Sequence, residues 1–399
     1  MLRSYKPVRE QVNQTKQTDT NMRTYLDMAA TTPTDPRVAE RVMEFMVREF
    51  GNAGSRTHVF GADAQSAVNT ARAQIATTIK VDASDVIFTS GATEADNLAI
   101  LGLAPEGEKL GKRHIVSTEI EHKAVLEPLD HLRSLGFEVT LVKPDAQGYV
   151  DAQHVLNAVR PDTLLVSVMH ANNETGAIQP IEAIADGLSG KSVFFHVDAA
   201  QTFGRLNPSL AHRRIDLISI SGHKVYAPKG IGALIMKRRD NRRAPLKPLM
   251  FGGGQEKSLR PGTLPVPLIV GFGLAATLAD READARYKRC AELRVEALQA
   301  FGSLKPYVHG DDARGILPHI LSLSIDGIDS EAVMVATKDI VAISNGSACT
   351  SASYEPSHVL KAMGVPSDIM DGTVRISWSH ATETPPWEDF VTRLRDLQF

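Results

Sequence analysis

The segment Asp216-Leu-Ile-Ser-Ile-Ser-Gly-His-Lys-Val-Tyr-Ala-Pro-Lys-Gly230 decides how the rest of the chain is interpreted. Leu217 to Ile220 is a short run of β-branched and apolar residues, which is typical of a buried strand. It ends in Ser-Gly-His-Lys224, so a lysine follows the strand end, between small residues and a Pro/Gly loop. Burial there disfavours the ammonium form and frees an amine that forms imines with carbonyl compounds. Taken alone, these residues also fit a solvent-exposed loop, and the other motifs favour the buried lysine.

Composition limits the class of protein. The 399 residues carry a formal net charge of −3, and this balance gives no support for nucleic acid or a membrane as the main ligand. The two cysteines, Cys290 and Cys349, cannot form a disulfide framework, so a cytoplasmic location is the simplest expectation. HExxH, paired CxxC and Walker A sequences do not occur, so we predict neither a metal site nor an NTP site.

Helical and strand patterns alternate from Thr31 onwards, which predicts an α/β fold with a mostly parallel sheet covered on both faces. After about Ala275 a long charged helix, predicted over 280–301, leads into a smaller region. We therefore expect a flexible N-terminal arm at 1–24, a large domain at 25–280 and a small C-terminal domain at 281–399. The strands are predicted at 85–89, 114–117, 138–142, 163–169, 192–197, 217–220, 320–325 and 373–378.

Polar residues follow several of these strands, at the sheet edge where ligands of parallel sheets bind. Ser90-Gly-Ala-Thr93 opens a helix and suits a phosphate, although such residues also serve as plain helix caps. Asp198 ends an apolar strand, so its carboxylate needs a partner such as a protonated ring nitrogen, unless it only caps a helix. Asn173 could donate to a ring hydroxyl or belong to a turn. His122 could stack on a flat ring or be a structural histidine.

Three further features carry chemistry. The glycine-rich loop 252–263 could approach a phosphate or form a surface loop. Cys349 lies among small polar residues, which predicts an exposed and reactive thiol, whereas Cys290 in a helix is predicted to be structural. Arg375 in an apolar strand needs a carboxylate partner, either a substrate's or an internal one. A G-x-G-x-x-A match at 271–276 follows two prolines, so a nicotinamide dehydrogenase ranks last.

Together and in this order, the motifs resemble the cysteine desulfurases of the class V, fold type I pyridoxal-phosphate enzymes. The loop Ser347-Ala-Cys-Thr-Ser351 is similar to the long-loop group shared by housekeeping iron–sulfur and nitrogenase-maturation desulfurases. The resemblance implies a large domain with a mostly parallel seven-stranded sheet flanked by helices, and a smaller C-terminal α+β domain that carries Cys349. The segments that match begin at Tyr25, Ala30, Phe88, Glu121, Met169, His196, Ser221 and Ser347.

The resemblance also implies roles. Lys224 holds pyridoxal 5'-phosphate as a Schiff base, while His122 stacks on the ring and moves protons. Asp198 pairs with the ring nitrogen. Arg375 binds the carboxylate of L-cysteine together with Asn173, and Cys349 is the nucleophile. Asn173 and Gln201 hydrogen-bond to the ring hydroxyl. The phosphate is held by Ala92, Thr93, Ser221 and His223, with Thr263 supplied by the second subunit of a homodimer.

The implied reaction converts L-cysteine into L-alanine and passes the sulfur as a persulfide on Cys349 to an acceptor protein. The segment Phe50 to His58 is similar to desulfurases of DNA phosphorothioation, so an acceptor in that pathway is our first expectation. Ser379-His-Ala381 stands where housekeeping members have Gly-Arg-Phe, and a longer scaffold-docking tail is not seen after Phe399. The alternatives are a housekeeping desulfurase for iron–sulfur clusters or tRNA thiolation, and a selenocysteine lyase. A non-catalytic carrier of thiol-bound sulfur is the alternative from another class.

Overall fold

The computed structural model describes residues 23–345 and 356–398. The predicted arm, except for its last two residues, and Cys349 therefore lie outside the described residues. The strands are β1 (Thr24–Tyr25), β2 (Val86–Thr89), β3 (His114–Thr118), β4 (Glu138–Val142), β5 (Thr163–Ser167), β6 (Phe194–Asp198), β7 (Leu217–Ser221), β8 (Gly232–Met236), β9 (Tyr307–His309), β10 (Ile320–Ser324), β11 (Val341–Ala342), β12 (Ser344–Asn345) and β13 (Thr373–Ser377).

The helices cover both faces of the large sheet and one side of the small region. They are α1 (Pro36–Val47), α2 (Val59–Thr78), α3 (Ala92–Leu101), α4 (Ala104–Leu110), α5 (Lys123–Ser134), α6 (Ala152–Asn157), α7 (Ile181–Gly187), α8 (Asn207–Leu210), α9 (Val266–Arg281), α10 (Ala283–Phe301), α11 (Ser330–Thr337), α12 (His358–Ala362), α13 (Ser367–Asp371) and α14 (Trp387–Arg395).

The large domain is built on a seven-stranded sheet with the order β2-β8-β7-β6-β5-β3-β4. All neighbouring pairs are parallel except those of β8, which runs antiparallel to β2 and to β7. Successive residues of β7 enter different cores, since Leu217 packs on one face and Ile218 on the other. The prediction of a mostly parallel, seven-stranded α/β sheet is confirmed. The sequence did not single out β8, a five-residue apolar run.

The small region has its own antiparallel sheet, ordered β12-β13-β10-β9, and its own apolar core. Leu26 packs in this core, and β1 pairs with β11, so the chain's first described residues join the C-terminal region. The charged helix predicted over 280–301 is α10, which begins at Ala283, while residues 280 and 281 end helix α9. Helix α9 contributes to the large core and α10 to the small one. The domain boundary near residue 280 stays a prediction.

The G-x-G-x-x-A match lies inside helix α9 and has a packing role. A Cβ atom on Gly271 would lie 2.5 Å from Val42 Cγ2, and one on Gly273 would lie 2.6 Å from Ala71 Cα. These glycines let α9 approach α1 and α2 closely. A dinucleotide fingerprint requires a strand, a tight turn and a helix start, and a helix interior offers none of these. Within the described ranges, no helix is both long and apolar enough to cross a membrane.

Candidate active site

Four predicted site residues follow four neighbouring parallel strands. His122 follows β3, Asn173 follows β5, Asp198 ends β6, and Lys224 follows β7. Because β3, β5, β6 and β7 are parallel and adjacent, their carboxyl ends meet at one edge of the sheet. Residues far apart in sequence are thereby brought to the edge where such sheets bind ligands.

Lys224 lies in a 3₁₀ turn, Gly222–Lys224, and is half-buried. Its Nζ donates to the carbonyl oxygen of Ala29 and, at 2.9 Å, to that of Ala30. Gln201 Nε2 donates to the same Ala29 oxygen at 3.0 Å, which places Gln201 beside the lysine amine. The Ala29–Ala30 backbone thus holds two predicted site residues, a role that sequence reasoning did not assign.

His223 extends the same arrangement. Its Nδ1 lies 3.1 Å from Thr31 Oγ1, and Thr32 Oγ1 donates to the His223 carbonyl oxygen at 2.9 Å. Burial, with the charges of Lys224 and Lys229, lowers the pKa of His223 to about 4, so the ring is neutral at pH 7. The Ala29–Thr32 segment therefore binds both residues that end the Ser-Gly-His-Lys224 motif.

Asp198 supplies a buried carboxylate at this edge. Its Oδ1 accepts a hydrogen bond from the Ala200 N–H at 2.8 Å. Burial raises the pKa of Asp198 to about 6, against the opposing effects of the Ala200 N–H and the Lys224 charge. A cation placed against Asp198 would strengthen its ionised form, so the group is suited to a protonated ring nitrogen.

His122 is a neutral ring at the start of helix α5. Its Nδ1 accepts the Ala124 N–H at 3.1 Å, so in the neutral form the proton is on Nε2. Burial, followed by the nearby Lys224 charge, lowers the pKa of His122 to about 4. The ring lines a cavity of about 430 Å³ together with Thr93, Asn97 and Lys123. This lining includes neither Lys224 nor Asp198, so the stacking role of His122 stays a prediction.

Two of the predicted phosphate-binding residues, Ala92 and Thr93, lie at the start of helix α3, where Ala92 is the first helical residue. Its N-cap, Gly91, offers no side chain to cap the helix, and Thr93 is exposed. Glu94 joins two segments here, since it accepts the Ser90 N–H at 2.7 Å and Arg260 Nε at 3.0 Å. Ser221, the last residue of β7, is buried nearby in the chain before Lys224. An uncapped helix N-terminus with a free hydroxyl beside it suits an anion.

Arg375 is almost fully buried on β13. Its Nη2 donates to Asp27 Oδ1 at 2.8 Å, and its Nη1 donates to the Asn173 carbonyl oxygen at 3.0 Å. An internal carboxylate partner therefore exists, 348 residues away in the chain. Among the described residues, the buried Arg375 Nε has no hydrogen-bond partner. The contact with Asn173 places Arg375 next to the strand ends of the large sheet.

Comparison with known proteins decides the family. Residues 24–385 match the family model for aminotransferase class V. The chain belongs to the class-V aminotransferase family. It is 46% identical to the cysteine desulfurase IscS of Pectobacterium carotovorum over 94% of both chains, and 45% identical to IscS of Escherichia coli K12/DH10B.

Solved structures agree with this family assignment. A NifS-like protein superposes with a TM-score of 0.84 at 36% identity, covering 94% of this chain and 98% of that one. DndA from Streptomyces lividans gives a TM-score of 0.78 at 49% identity, covering 89% and 99%. A structure described as SspA in complex with cysteine gives 0.79 at 37% identity, covering 89% and 98%. The predicted class V cysteine desulfurase, a pyridoxal-phosphate-dependent enzyme, is confirmed.

Within one chain of this desulfurase, Thr263 and Thr93 do not line the same cavity. Thr263 is exposed and lines a different cavity of about 380 Å³, together with Asn52, Arg72 and Gln255. Within one chain, the two predicted phosphate-binding threonines therefore face separate spaces. Its role across a subunit interface stays a prediction.

Cys349 of the desulfurase lies outside the described residues, but both flanks of its segment are described. On one side, Ser344 pairs with Arg375 in the sheet, and Ser344 Oγ donates to Asp27 Oδ1 at 3.2 Å. On the other side, Ser357 Oγ donates to Glu174 Oε2, and His358 Nε2 contacts the Glu121 carbonyl oxygen at 2.8 Å. Ser344 is thus next to Arg375 in the small sheet. Ser357 and His358 contact the residues that adjoin Asn173 and His122 in the sequence.

Two further assignments concern residues with ordinary structural roles. Cys290 is buried, and burial raises the pKa of its thiol to about 11, which confirms the prediction of a structural cysteine. In the Asn172–Asn173 pair, Asn172 is the structural member, because its buried side chain accepts the Glu174 and Thr175 N–H groups at 2.9 Å. Asn173 is only half-buried, and its role in the site stays a prediction.

Proposed function

We propose that the chain converts L-cysteine into L-alanine and passes the sulfur, as a persulfide on Cys349, to an acceptor protein. One observation carries this proposal: Lys224, Asp198 and His122 meet at one sheet edge, with the guanidinium of Arg375 beside them. An amine, a buried carboxylate, a neutral ring and a guanidinium are the groups that an amino-acid substrate and pyridoxal phosphate require.

The residues at this edge fit the cofactor. Lys224 would bind its aldehyde carbon, and Asp198 would hold a proton on the ring nitrogen. His122 would stack on the ring face, while Gln201 and Asn173 would hydrogen-bond to the ring hydroxyl. When bound, the cofactor supplies an electron sink for the bonding electrons at the substrate Cα. The phosphate would be held by Ala92, Thr93, Ser221 and His223, and by Thr263 of a second copy.

Proton movement and substrate placement fall to this chain's own groups. The Lys224 amine and the neutral His122 ring would each take up and return a proton near the substrate Cα. Arg375 would bind the substrate carboxylate, with Asn173 alongside. The Cys349 thiolate would then attack the substrate sulfur, so that the sulfur–carbon bond breaks and a sulfur–sulfur bond forms.

We infer that the sulfur acceptor is a protein of DNA phosphorothioation. Support comes from DndA of Streptomyces lividans, which is 49% identical over 89% of this chain, and from the segment Phe50 to His58. Housekeeping IscS relatives at 45–46% identity keep iron–sulfur assembly as the second candidate. Capture of partners by the persulfide-loaded enzyme distinguishes them, because recovery of an iron–sulfur scaffold in place of a phosphorothioation protein contradicts the first assignment.

The catalytic assignment is tested with Lys224→Ala and Cys349→Ser, with Cys290→Ser as a matched control. We expect Lys224→Ala to lower alanine release about a thousandfold or more, because no other amine replaces it. Cys349→Ser should retain the yellow bound cofactor yet release almost no alanine, while Cys290→Ser stays close to the parent. Alanine release and visible absorbance are the measurements. Full turnover by Cys349→Ser would contradict the nucleophile assignment.

We also propose a homodimer in which Thr263 completes the second subunit's phosphate site. Exposed apolar side chains lie close in sequence to the loops involved, namely Phe50, Phe60 and Phe251. Coexpression of Lys224→Ala with Thr263→Val tests this arrangement. A mixed dimer contains one site with both native residues, so we expect about half of the parental activity per such dimer. Activity no higher than that of Thr263→Val alone contradicts the shared site.

A further inference from the structure

Asp27 is the acid that pairs with Arg375, and the proposed reaction assigns it no role. Its Oδ1 accepts a hydrogen bond from Arg375 Nη2 at 2.8 Å, and in the described part of the chain no other acid forms an ion pair with this guanidinium. The Arg375 side chain is 2% exposed, and that of Asp27 is 19% exposed. A charge-assisted hydrogen bond at this depth is stronger than a neutral one and is only weakly screened by salt.

Hydrogen bonds on both sides fix Asp27 against strand β13. Asp27 forms an isolated parallel bridge with Ser377, the last residue of that strand. The Met28 N–H donates to the Ser377 carbonyl oxygen at 3.1 Å, and the Ser377 N–H donates to the Leu26 carbonyl oxygen at 2.7 Å. From β12, Ser344 Oγ donates to Asp27 Oδ1 at 3.2 Å. The carboxylate therefore has a fixed place beside the strand that carries the arginine.

The backbone of Asp27 begins the turn that reaches the lysine amine. Its carbonyl oxygen accepts the Ala30 N–H at 3.0 Å, and the Ala29 N–H donates to Ser377 Oγ at 2.9 Å. The carbonyl oxygens of Ala29 and Ala30 in turn accept hydrogen bonds from Lys224 Nζ. Asp27 thus joins the segment that contacts the predicted cofactor lysine to the arginine on β13.

The Arg375 guanidinium is held at both of its terminal nitrogens. Nη1 donates to the Asn173 carbonyl oxygen at 3.0 Å, and Nη2 donates to Asp27. An arginine side chain has many rotamers, so two contacts at different nitrogens are needed to fix the plane of its guanidinium. Recognition of a second carboxylate depends on that plane. Without Asp27, only the contact with Asn173 would orient the group.

We propose that Asp27 is a positioning residue, which orients the Arg375 guanidinium for the carboxylate of the amino-acid substrate. This inference rests on the proposed function, which assigns the substrate carboxylate to Arg375. Asp27 acts through the arginine and not on the bonds that form and break. Its loss should therefore raise the KM for L-cysteine and leave kcat nearly unchanged.

The first test compares two acids that each pair with a buried arginine. In the full-length, cofactor-loaded enzyme, we expect Asp27→Ala to raise the KM for L-cysteine about tenfold, with kcat within about threefold of the parent. Asp312→Ala is the matched control, because Asp312 pairs with the buried Arg294 at 2.6 Å, and Arg294 also donates to a carbonyl oxygen, that of Ile320, at 2.7 Å. Its KM should equal the parental value.

The second test measures binding without turnover. L-alanine and ethylamine differ only in the carboxylate, and the visible absorbance of the bound cofactor reports the binding of either amine. We expect L-alanine to bind about tenfold more weakly to Asp27→Ala than to the parent, whereas ethylamine binds equally well to both. Arg375→Gln gives the reference for complete loss of the guanidinium.

The outcomes separate this inference from the proposed function. If Arg375→Gln binds L-alanine as the parent does, the assigned role of Arg375 is wrong, and both are overturned. If Arg375→Gln weakens L-alanine binding but Asp27→Ala does not, only the role of Asp27 is overturned. An equal loss for ethylamine, or for Asp312→Ala, would indicate a general structural effect and would also overturn it.

A second substitution covers the case in which Asp27→Ala does not fold. Asp27→Glu keeps the negative charge beside the buried guanidinium, but its longer side chain displaces the guanidinium by about the length of one methylene group. We expect weaker binding of L-alanine and unchanged binding of ethylamine. Parental affinity for L-alanine in Asp27→Glu would contradict the positioning role.

Discussion

Asp198 and Asp96 are both buried in the large domain, yet their surroundings are opposite. Asp198, at the end of β6, accepts the Ala200 N–H at 2.8 Å and lies in the field of the Lys224 amine. Asp96, on helix α3, has no hydrogen-bond partner for either carboxyl oxygen in the described part of the chain. His196 Nε2 lies 3.5 Å from its Oδ1.

The difference shows that burial alone does not decide which carboxyl group is ionised. Burial, followed by the charge of Asp198, raises the pKa of Asp96 well above its ordinary value. His196 cannot act as a counter-ion, because burial lowers its own pKa to about 3. The raised pKa favours the protonated, neutral form of Asp96. Two neighbouring carboxyl groups cannot easily both be charged, so a neutral Asp96 allows Asp198 to serve as the carboxylate.

The largest expected effect is the difference in alanine release between substitutions of Asp198 and of Asp96. Asp198→Asn removes the charge that would hold a proton on the cofactor ring, so we expect alanine release to fall by about 10²–10⁴-fold. Asp96→Asn replaces a neutral acid by a neutral amide of the same shape, so we expect a change of less than about threefold. Steady-state alanine formation by the two variants is the measurement.

The control for this pair is the amount of folded, cofactor-loaded protein, which visible absorbance and gel filtration report. A loss in Asp96→Asn that matches the loss in Asp198→Asn, at equal cofactor content, contradicts the division of roles. It would mean that Asp96 carries charge in the working enzyme.

The sequence was a good guide wherever the signal was local. Asp198, His122 and Lys224 each follow a strand-like run directly, and parallel strands with adjacent ends bring such residues together. Asp96 lies in a helix whose apolar pattern gives it no distinction, so its burial became visible only from the packed sheet. Strand β8 was missed because its short apolar run carries no alternation that separates a strand from a buried helix, although Pro228 and Gly230 precede it.

Partnerships across the chain could not be predicted. Arg375 required a carboxylate, but nothing in its strand indicates Asp27, 348 residues earlier. The carbonyl oxygens of Ala29 and Ala30 that bind Lys224 have no side-chain signal at all, because any residue presents a carbonyl group. The separation of Thr263 from Thr93 within one chain likewise depends on how the 252–263 loop folds, which its glycines leave open.

Glu121 extends the comparison, because it is a second buried acid that forms no ion pair in the described part of the chain. Its Oε1 accepts from Thr118 Oγ1 at 2.7 Å and from the Met169 N–H at 2.9 Å, whereas Oε2 has no partner in the described part of the chain. Burial above all raises the pKa of Glu121 to about 8 from its ordinary 4.5. The folded state therefore keeps a proton that the unfolded state releases between these two pH values.

We expect this proton to make stability depend on pH in a definite direction. The contribution of Glu121 is complete below pH 4.5 and is lost as the pH rises to about 8. Glu121→Gln should remove a slope of about 1.4 kcal/mol per pH unit in the free energy of unfolding over that window. Urea unfolding between pH 5 and 8 measures it, with exposed Glu383→Gln as the control. Parallel curves for the parent and Glu121→Gln would show that Glu121 is ionised when folded.

The smallest expected effect concerns Glu174, a buried acid that has both a hydroxyl donor, Ser357, and a cation, Arg375, near it. Burial raises the pKa of Glu174 to about 7, while the Ser357 hydroxyl and the Arg375 charge oppose the rise. Ser357 also caps helix α12, since its Oγ accepts the Leu360 N–H at 3.1 Å. Ser357→Ala thus removes a helix cap and a donor to a buried carboxyl group together.

A helix cap that does not contact a buried acid is the control that separates loss of the cap from loss of the donor. Asp151 caps helix α6 by accepting the Gln153 N–H at 2.6 Å, and it is exposed. We expect Asp151→Ala to cost about 1 kcal/mol of unfolding free energy, as cap removal generally does. Ser357→Ala should cost about 1 kcal/mol more, because Glu174 loses a hydrogen bond where water cannot replace it. Equal costs in urea unfolding at pH 7 would mean that Glu174 gains nothing from Ser357, and that its protonation depends on burial and Arg375 alone.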